Sequence, residues 1–563
     1  MAITEELRDI QQLITQCHLR KALSKVKKLE KREKLKEKDF NNINLMKSNI
    51  FIKLGNFEKA EELSRKVLLK SERIKNEMQK IDACIMVAKA LLALGKYDDS
   101  YLMVKKGEQL LDAIIVQSPK TNFFKAEILR VYGVISWNKG QFELALDYYR
   151  QSFVIFEKIR DERGIGKILS NIGSIYQIKG KFALAIEYKQ NAAQILEEIG
   201  DQLNLASTFQ NISEIYTSRG KLGLAFEYAQ RSLIIFEELE IKHAIAENLC
   251  VIGEIFKAKG DLDAALEFYK RSLTLYEEVG RPGALPLVNM GEIHHAREEY
   301  ELALQCYKQS LDIFKEWNLL ETAMLYYDLI KLSIDTKTLE QAKIYVQHLQ
   351  RINKKEDNLV FNQLYRLGQA MLLKTSKRIT NIATAQKIFK QVATEEIVYF
   401  ELTVDAILNL CELLLIELRS FGNEEVFREV KTWSNNLLEI AQMQHSFSLL
   451  AETYLLQSKL ALLELDLERA QNLLSQAKKL AEENDLQQLL TKILDEQFLL
   501  HEQSSKWEHL RDQKLSIKER INLIQFEDLL DRMLHKRFYQ KQEEIMEYAA
   551  EAQQLIEKWE KEE

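Results

Sequence analysis

The chain has 563 residues, with 79 Lys and Arg against 85 Asp and Glu, three Pro and five Cys. So even a balance gives no whole-chain field for nucleic acid, and so few prolines leave helices uninterrupted. The length exceeds what one compact core organises, yet no obvious linker divides it.

From the N-terminus, MAITEELRDIQQLITQ reads as an amphipathic helix and lacks the apolar centre of a signal peptide. The run Arg20 to Lys38 holds ten cations and three anions. No aromatic residue interleaves to stack on bases, so it reads as a solvated helix face and loop, with no nucleic-acid partner expected. Further on, NIGSIYQIKGKFALAIEY (Asn171 to Tyr188) returns after 40 residues as NISEIYTSRGKLGLAFEY and after 40 more as VIGEIFKAKGDLDAALEF. In each copy the apolar spacing predicts two helices around a Gly turn. The turn residues Gly140, Gly180, Gly220 and Gly260 end the first helix, where a left-handed residue costs Gly least. A cation precedes each turn (Lys139, Lys179, Arg219, Lys259) and faces the negative end of the helix dipole. Joints such as Gly200-Asp201 close one hairpin and cap the next.

Two positions stay small. Seven residues before the turn stand Gly133, Gly173, Ser213 and Gly253. Gly inside a helix costs about 1 kcal/mol against Ala, so its recurrence predicts close approach of the paired helix. Five after the turn stand Ala145, Ala185, Ala225 and Ala265. The same ruler finds copies at Gly55 with Ala60, Gly95 with Ser100, Glu298 with Ala303 and Lys337 with Ala342. Weaker ones fall at Cys17 with Ala22, Thr380 with Ala385 and Leu465 with Ala470, and a degenerate one near Gly422. About twelve hairpins result, each burying its apolar face only against its neighbours.

The small residue, the aromatic three on (Tyr176, Tyr216, Phe256), the turn Gly, the following Phe182, Leu222 or Leu262, and the Ala together resemble the tetratricopeptide repeat. The resemblance runs from about Ile3 to Leu500 and is most specific from Lys125 to Phe314. The 40-residue period is similar to that of Partner-of-Inscuteable scaffolds, kinesin light chains and MalT- and Rap-type regulators. It implies an all-α fold, a right-handed superhelical solenoid. Expected are a regular array over 1–350, divergent hairpins over 351–500, where turn glycines vanish and helices lengthen, and capping helices over 501–563. The cap reading leans on an apolar stripe at Leu523, Phe526, Leu529, Leu530, Met533 and Leu534. AILNLCELLLIEL (Ala406 to Leu418) is too short and too interrupted by Glu to span a membrane, so no membrane partner is expected. The scattered cysteines, none in a CxxC pair, fit buried thiols in a soluble cytoplasmic protein.

Catalytic signals are thin. No Walker sequence, GxSxG or HExxH occurs, so no enzyme, no metal and no cofactor are expected. Glu292 and His295 form a lone ExxH, short of the further carboxylates a bundle metal site needs; His294 fills the aromatic slot of its repeat.

The resemblance also implies that first helices line a concave groove. On the matching positions it places Arg130, Val134, Lys167, Asn171, Ser174, Gln210, Asn211, Glu214, Glu254, Asn289 and Glu292 there. Asn amides both donate and accept, so they can clamp a peptide backbone without reading side chains. Glu214, Glu254 and Glu292 form an anionic column, preceded by Arg130 and Lys167. The expected partner is therefore a protein or peptide segment with basic residues toward the column and an acidic group toward the two cations; the oligomeric state is left open. A carboxylate clamp is disfavoured by the column. The expected function is a non-enzymatic interaction scaffold, with a regulator that changes superhelical pitch on binding as the alternative.

Overall fold

The computed structural model describes residues 2–15, 17–31, 35–114, 116, 118–356, 358–376, 378–502, 507 and 516–524. They form 26 helices and no strand. The first are α1 (Ala2–Thr15), α2 (Leu19–Glu30), α3 (Glu37–Lys53), α4 (Phe57–Arg73), α5 (Glu77–Ala93), α6 (Tyr97–Asp112), α7 (Pro119–Asn138) and α8 (Phe142–Ile159). Then come α9 (Glu162–Ile178), α10 (Phe182–Glu198), α11 (Gln202–Arg219), α12 (Leu222–Glu238), α13 (Lys242–Lys259), α14 (Leu262–Glu278), α15 (Ala284–Ala296), α16 (Tyr300–Trp317) and α17 (Leu319–Asp335). The remainder are α18 (Leu339–Glu356), α19 (Leu359–Lys374), α20 (Ile379–Thr394), α21 (Phe400–Phe421), α22 (Glu424–Met443), α23 (Phe447–Leu463), α24 (Leu467–Glu483), α25 (Gln487–Glu502) and α26 (Ile517–Ile521). Each odd helix packs antiparallel on the next even one, which in turn packs on the following odd one, an all-α solenoid of twelve hairpins followed by α25. Apart from Leu523, the apolar stripe expected near the C-terminus lies outside the described residues.

The turns behave as the spacing predicts. Gly55, Gly95, Gly140, Gly180, Gly220 and Gly260 all have positive φ, between 69° and 94°. Where Gly is missing, Cys17, Glu298, Lys337 and Leu465 adopt the same left-handed conformation. Thr380 does not: it sits in the first turn of α20, and that hairpin turns instead around 375–378. Ala385 is nonetheless fully buried, so the small position persists where the turn does not. Asp161, Asp201 and Asp261 accept from the backbone N–H three residues on and cap α9, α11 and α14.

Small residues let the rods touch. Ala145, Ala185, Ala225 and Ala265 are completely buried. A Cβ on Gly253 would lie 2.5 Å from the Tyr269 ring, and one on Gly291 would lie 2.6 Å from Tyr307. Where Ser replaces Gly, its Oγ donates across the hairpin, Ser213 to the Ala225 carbonyl at 2.7 Å and Ser48 to Ala60 at 2.9 Å; in the Ala slot, Ser100 donates back to the Ala88 carbonyl at 2.9 Å. A second set ties each even helix to its own odd partner: Ser152, Ser232 and Ser272 donate to the carbonyls of Ala126, Ala206 and Ala246 at 2.7–2.8 Å. In three successive hairpins a stacked aromatic pair joins the two helices, with centroids 5.4 Å apart for Tyr176–Tyr188, 5.7 Å for Tyr216–Tyr228 and 5.2 Å for Phe256–Phe268.

The ribbon of hairpins coils until its two edges meet. One edge carries the odd-to-even turns, the other the even-to-odd joints. Contacts between them recur 217–228 residues apart. Asn358 donates to the Lys139 carbonyl (2.9 Å), Ser446 to the Ser218 carbonyl (3.3 Å) and Gln488 to the Gly260 carbonyl (3.2 Å). Phe182 meets Phe400 edge-on at 5.5 Å. Near the N-terminus the same join is apolar: Ile10, Ile14, Val26, Ile43 and Ile50 share a core with Ala206, Phe236, Ile241 and Ala244. Three of the four cations before the turn glycines reach across this join, while Lys139 pairs with Asp98. Lys179 pairs with Glu396 at 3.0 Å, Lys259 with Asp485 at 2.8 Å, and Arg219 donates to the His445 carbonyl at 3.3 Å. Their recurrence thus has a second cause besides the helix dipole.

Substituting Gly253→Ala should lower the urea midpoint by an amount corresponding to about 1–3 kcal/mol of overpacking. Gly223, with nothing within 4 Å of its would-be Cβ, should behave oppositely: Gly223→Ala should stabilise by about 0.5–1 kcal/mol. Equal effects of the two would sink the close-approach account.

Candidate functional site on the inner wall

Odd helices face inward, and their polar side chains form two charge provinces. The first lies on α3 to α9. Arg130 grips Glu127 through both carboxylate oxygens, at 3.1 and 3.0 Å, and Lys89 completes the pairing from α5. Burial alone would raise the Glu127 pKa, but Arg130 and Lys89 hold it well below the usual carboxylate range. Among the described residues Lys167 has no such partner. Burial, reinforced by Lys53 and opposed by Glu127, pushes it down to about 7. Val134 stands beside this group and packs on the core.

At the border stand Asn171 on α9 and Asn211 on α11. Both are half-buried, and among the described residues neither side chain has a hydrogen-bond partner. Ser174 receives the amine of the fully buried Lys189 at 2.7 Å, and Ser170 receives it at 3.2 Å.

The second province is anionic and runs from α11 to α21. Burial and then Glu254 raise the Glu214 pKa, while Lys189 and the Gln210 amide oppose the rise. Asn289 is buried and engaged: its amide donates to Glu254 at 3.0 Å and lies 3.4 Å from Lys257. Lys257 in turn pairs with Glu292 at 2.7 Å. The column is therefore partly neutralised from within. It continues beyond the sequence expectation. Burial and then Glu401 push Glu321 up to about 7; burial, with Lys331 opposing, brings Asp328 to about 7. Asp405 accepts from the Tyr327 hydroxyl at 2.8 Å and pairs with Lys331 at 2.9 Å. His295 lies 2.9 Å from Asp335 on α17. Among the described residues no group of three or more His, Cys, Asp or Glu could hold a metal ion, and no helix is long and apolar enough to cross a membrane.

Lys89, Asp328 and Lys331 were within reach of the sequence ruler. Counted from Gly95 and Lys337, they fall one after, two before and one after the small site. Lys53, Glu127 and Glu321 lie off those positions; Glu127 shares the wall with Arg130, three residues on along the same helix.

Residues 164–238 and 211–278 match a family model described as tetratricopeptide repeat, and 287–314 match a second model of the same description. Tetratricopeptide-type repeats thus occupy residues 164–278 and 287–314 of this helical-repeat chain. Among solved structures, it is similar to a Rap protein complexed with competence and sporulation factor, at 18% identity and TM-score 0.47, covering 63% of this chain and 99% of that one. It is also similar to apo NprR from B. thuringiensis (17%, TM-score 0.42, 64% and 99%) and to NprR with its cognate peptide NprX (15%, TM-score 0.42, 60% and 98%). A search of curated proteins found no match.

The raised carboxyls predict a pH signature. A folded-state pKa above the unfolded value gives stability that is complete below the unfolded pKa and is lost as pH rises through the folded one. For Glu321 the loss falls between about 4.5 and about 7. Glu321→Gln should therefore raise Tm relative to the parent at pH 8, with the gain shrinking toward pH 4.5. Calorimetry showing a pH-independent difference would contradict the burial assigned to Glu321.

Proposed function

We propose that the protein is a non-enzymatic scaffold that receives an extended polypeptide segment along its inner wall. The observation that carries this is the segregation of charge: cations on α3 to α9, carboxylates from α11 to α21, and the amides of Asn171 and Asn211 at the border. An extended backbone offers the amide groups those two side chains can pair with. Basic residues of the segment would lie toward Glu214, Glu254, Glu321 and Asp328, and an acidic group toward Lys167. Val134, Ser174, Gln210 and Glu292 flank this path, whereas Arg130 and Asn289 act by holding Glu127 and Glu254 in place. The five buried, unpaired cysteines suit a reducing compartment such as the cytoplasm.

A partner segment recovered by affinity purification and mass spectrometry, remade as a peptide, tests this. Glu214→Lys with Glu254→Lys should weaken it roughly tenfold or more. Asn171→Ala with Asn211→Ala should cost about 1 kcal/mol per lost backbone hydrogen bond. Unchanged affinity in both double variants would exclude this wall.

A second reading, a regulator whose pitch changes on binding, is favoured by the join between successive coils, which is made largely of single polar contacts. Small-angle scattering separates the two: a rigid scaffold keeps its dimensions when the peptide is added, and a pitch-changing one does not.

A further inference from the structure

In an open superhelix, the gap between successive coils lets a loop of a folded partner enter from the side. Here that gap is shut at successive hairpins. The turn at Gly140 meets Asn358, Gly180 meets Phe400, Gly220 meets Ser448 and Gly260 meets Gln488. Neighbouring contacts are one hairpin apart, and packed helices are spaced about 8–10 Å. A folded domain of about 100 residues has a radius of gyration of about 13 Å, too wide for such an opening. An extended chain, with strands spaced about 5 Å when paired, is far narrower than such a domain.

Resting on the peptide-binding reading above, we propose that the inner wall admits only a linear polypeptide presented by a free end, either a short peptide or a chain terminus. The seam between coils excludes the internal loops of folded proteins. Asn171 and Asn211 lie behind that seam, on helices whose own turns, at Gly180 and Gly220, are sealed by Phe400 and Ser448. The seam also accounts for contacts that the peptide path does not use, such as Lys259 with Asp485 and Arg219 with the His445 carbonyl.

The test needs no natural ligand. All five native cysteines are buried, so Asn171→Cys places a single reportable thiol on the inner wall. Val154→Cys, at a position 62% exposed on the outer face of α8, is the control. Each is treated with a decapeptide carrying an N-terminal maleimide, and with a folded carrier protein of about 100 residues bearing maleimide on an internal loop. The peptide should label both thiols. The carrier should label the Val154→Cys thiol readily and the Asn171→Cys thiol roughly tenfold or more slowly, since only rare opening would admit it. Equal carrier rates at the two sites, or an inner thiol that the peptide fails to reach, would overturn the proposal.

The seam is checked separately by Gly220→Cys with Ser448→Cys. A Cβ at 220 would lie 3.4 Å from that of Ser448, close to the ~3.5–4.5 Å of a disulfide. Equivalent turns already carry Glu298, Lys337 and Leu465 with positive φ. Mass spectrometry should show the bond after mild oxidation, and its absence in the folded variant would also overturn the proposal. Failure of the broader reading would appear elsewhere, as an affinity indifferent to Glu214→Lys with Glu254→Lys while the labelling contrast persists.

Discussion

Two helices can lie as close as these only where one of them carries almost no side chain. At Gly253 the space a methyl would need is occupied by the ring of Tyr269; at Ser213 the hydroxyl reaches the opposing carbonyl of Ala225. That spacing fixes how the two helices of each hairpin seat on one another. Because it recurs with the 40-residue period, small tilts add up to a regular coil. The stacked aromatics and the Ser-to-carbonyl bonds fix the remaining freedom, so the curvature is written into each repeat.

The consequence of regular curvature is that distant hairpins return to one another. After about eleven helices, the joint edge of the ribbon arrives at the turn edge of an earlier coil, and the residues waiting there are complementary. Lys179 finds Glu396, and Phe182 finds Phe400. None of these pairs is worth much alone, since exposed ion pairs contribute about 0–1 kcal/mol. Their effect is geometric: they join the edges of successive coils and turn a trough into a walled passage.

Enclosure in turn explains the unusual electrostatics of the wall. Glu321 and Asp328 sit near neutrality because burial penalises their charged forms and like charges crowd them. Lys167 is displaced downward by the same physics acting on a cation. Groups poised in this way are sensitive to whatever enters: a cationic side chain would favour ionised carboxylates, and an anion would favour protonated Lys167. The buried network of Lys257, Asn289, Glu254 and Glu292 holds part of that charge in reserve for the fold itself.

Helix, turn and hairpin were legible in the sequence because they depend on neighbours within 40 residues: Gly220 must turn, Asp201 must cap, Ala225 must be covered. The odd one out, Thr380, shows the limit of a ruler applied where the local signals thin. Candidate wall positions such as Asn171 and Glu214 could be read in the same local way, and Lys89, Asp328 and Lys331 follow from the same count. What only the tertiary structure decided is which of those groups are engaged. Asn289 is bonded to Glu254, Lys53 is brought beside Lys167, and Lys179 and Arg219 before their turns are matched to residues some 220 positions away. Those pairings depend on the accumulated angle of many hairpins, a sum that no single repeat contains.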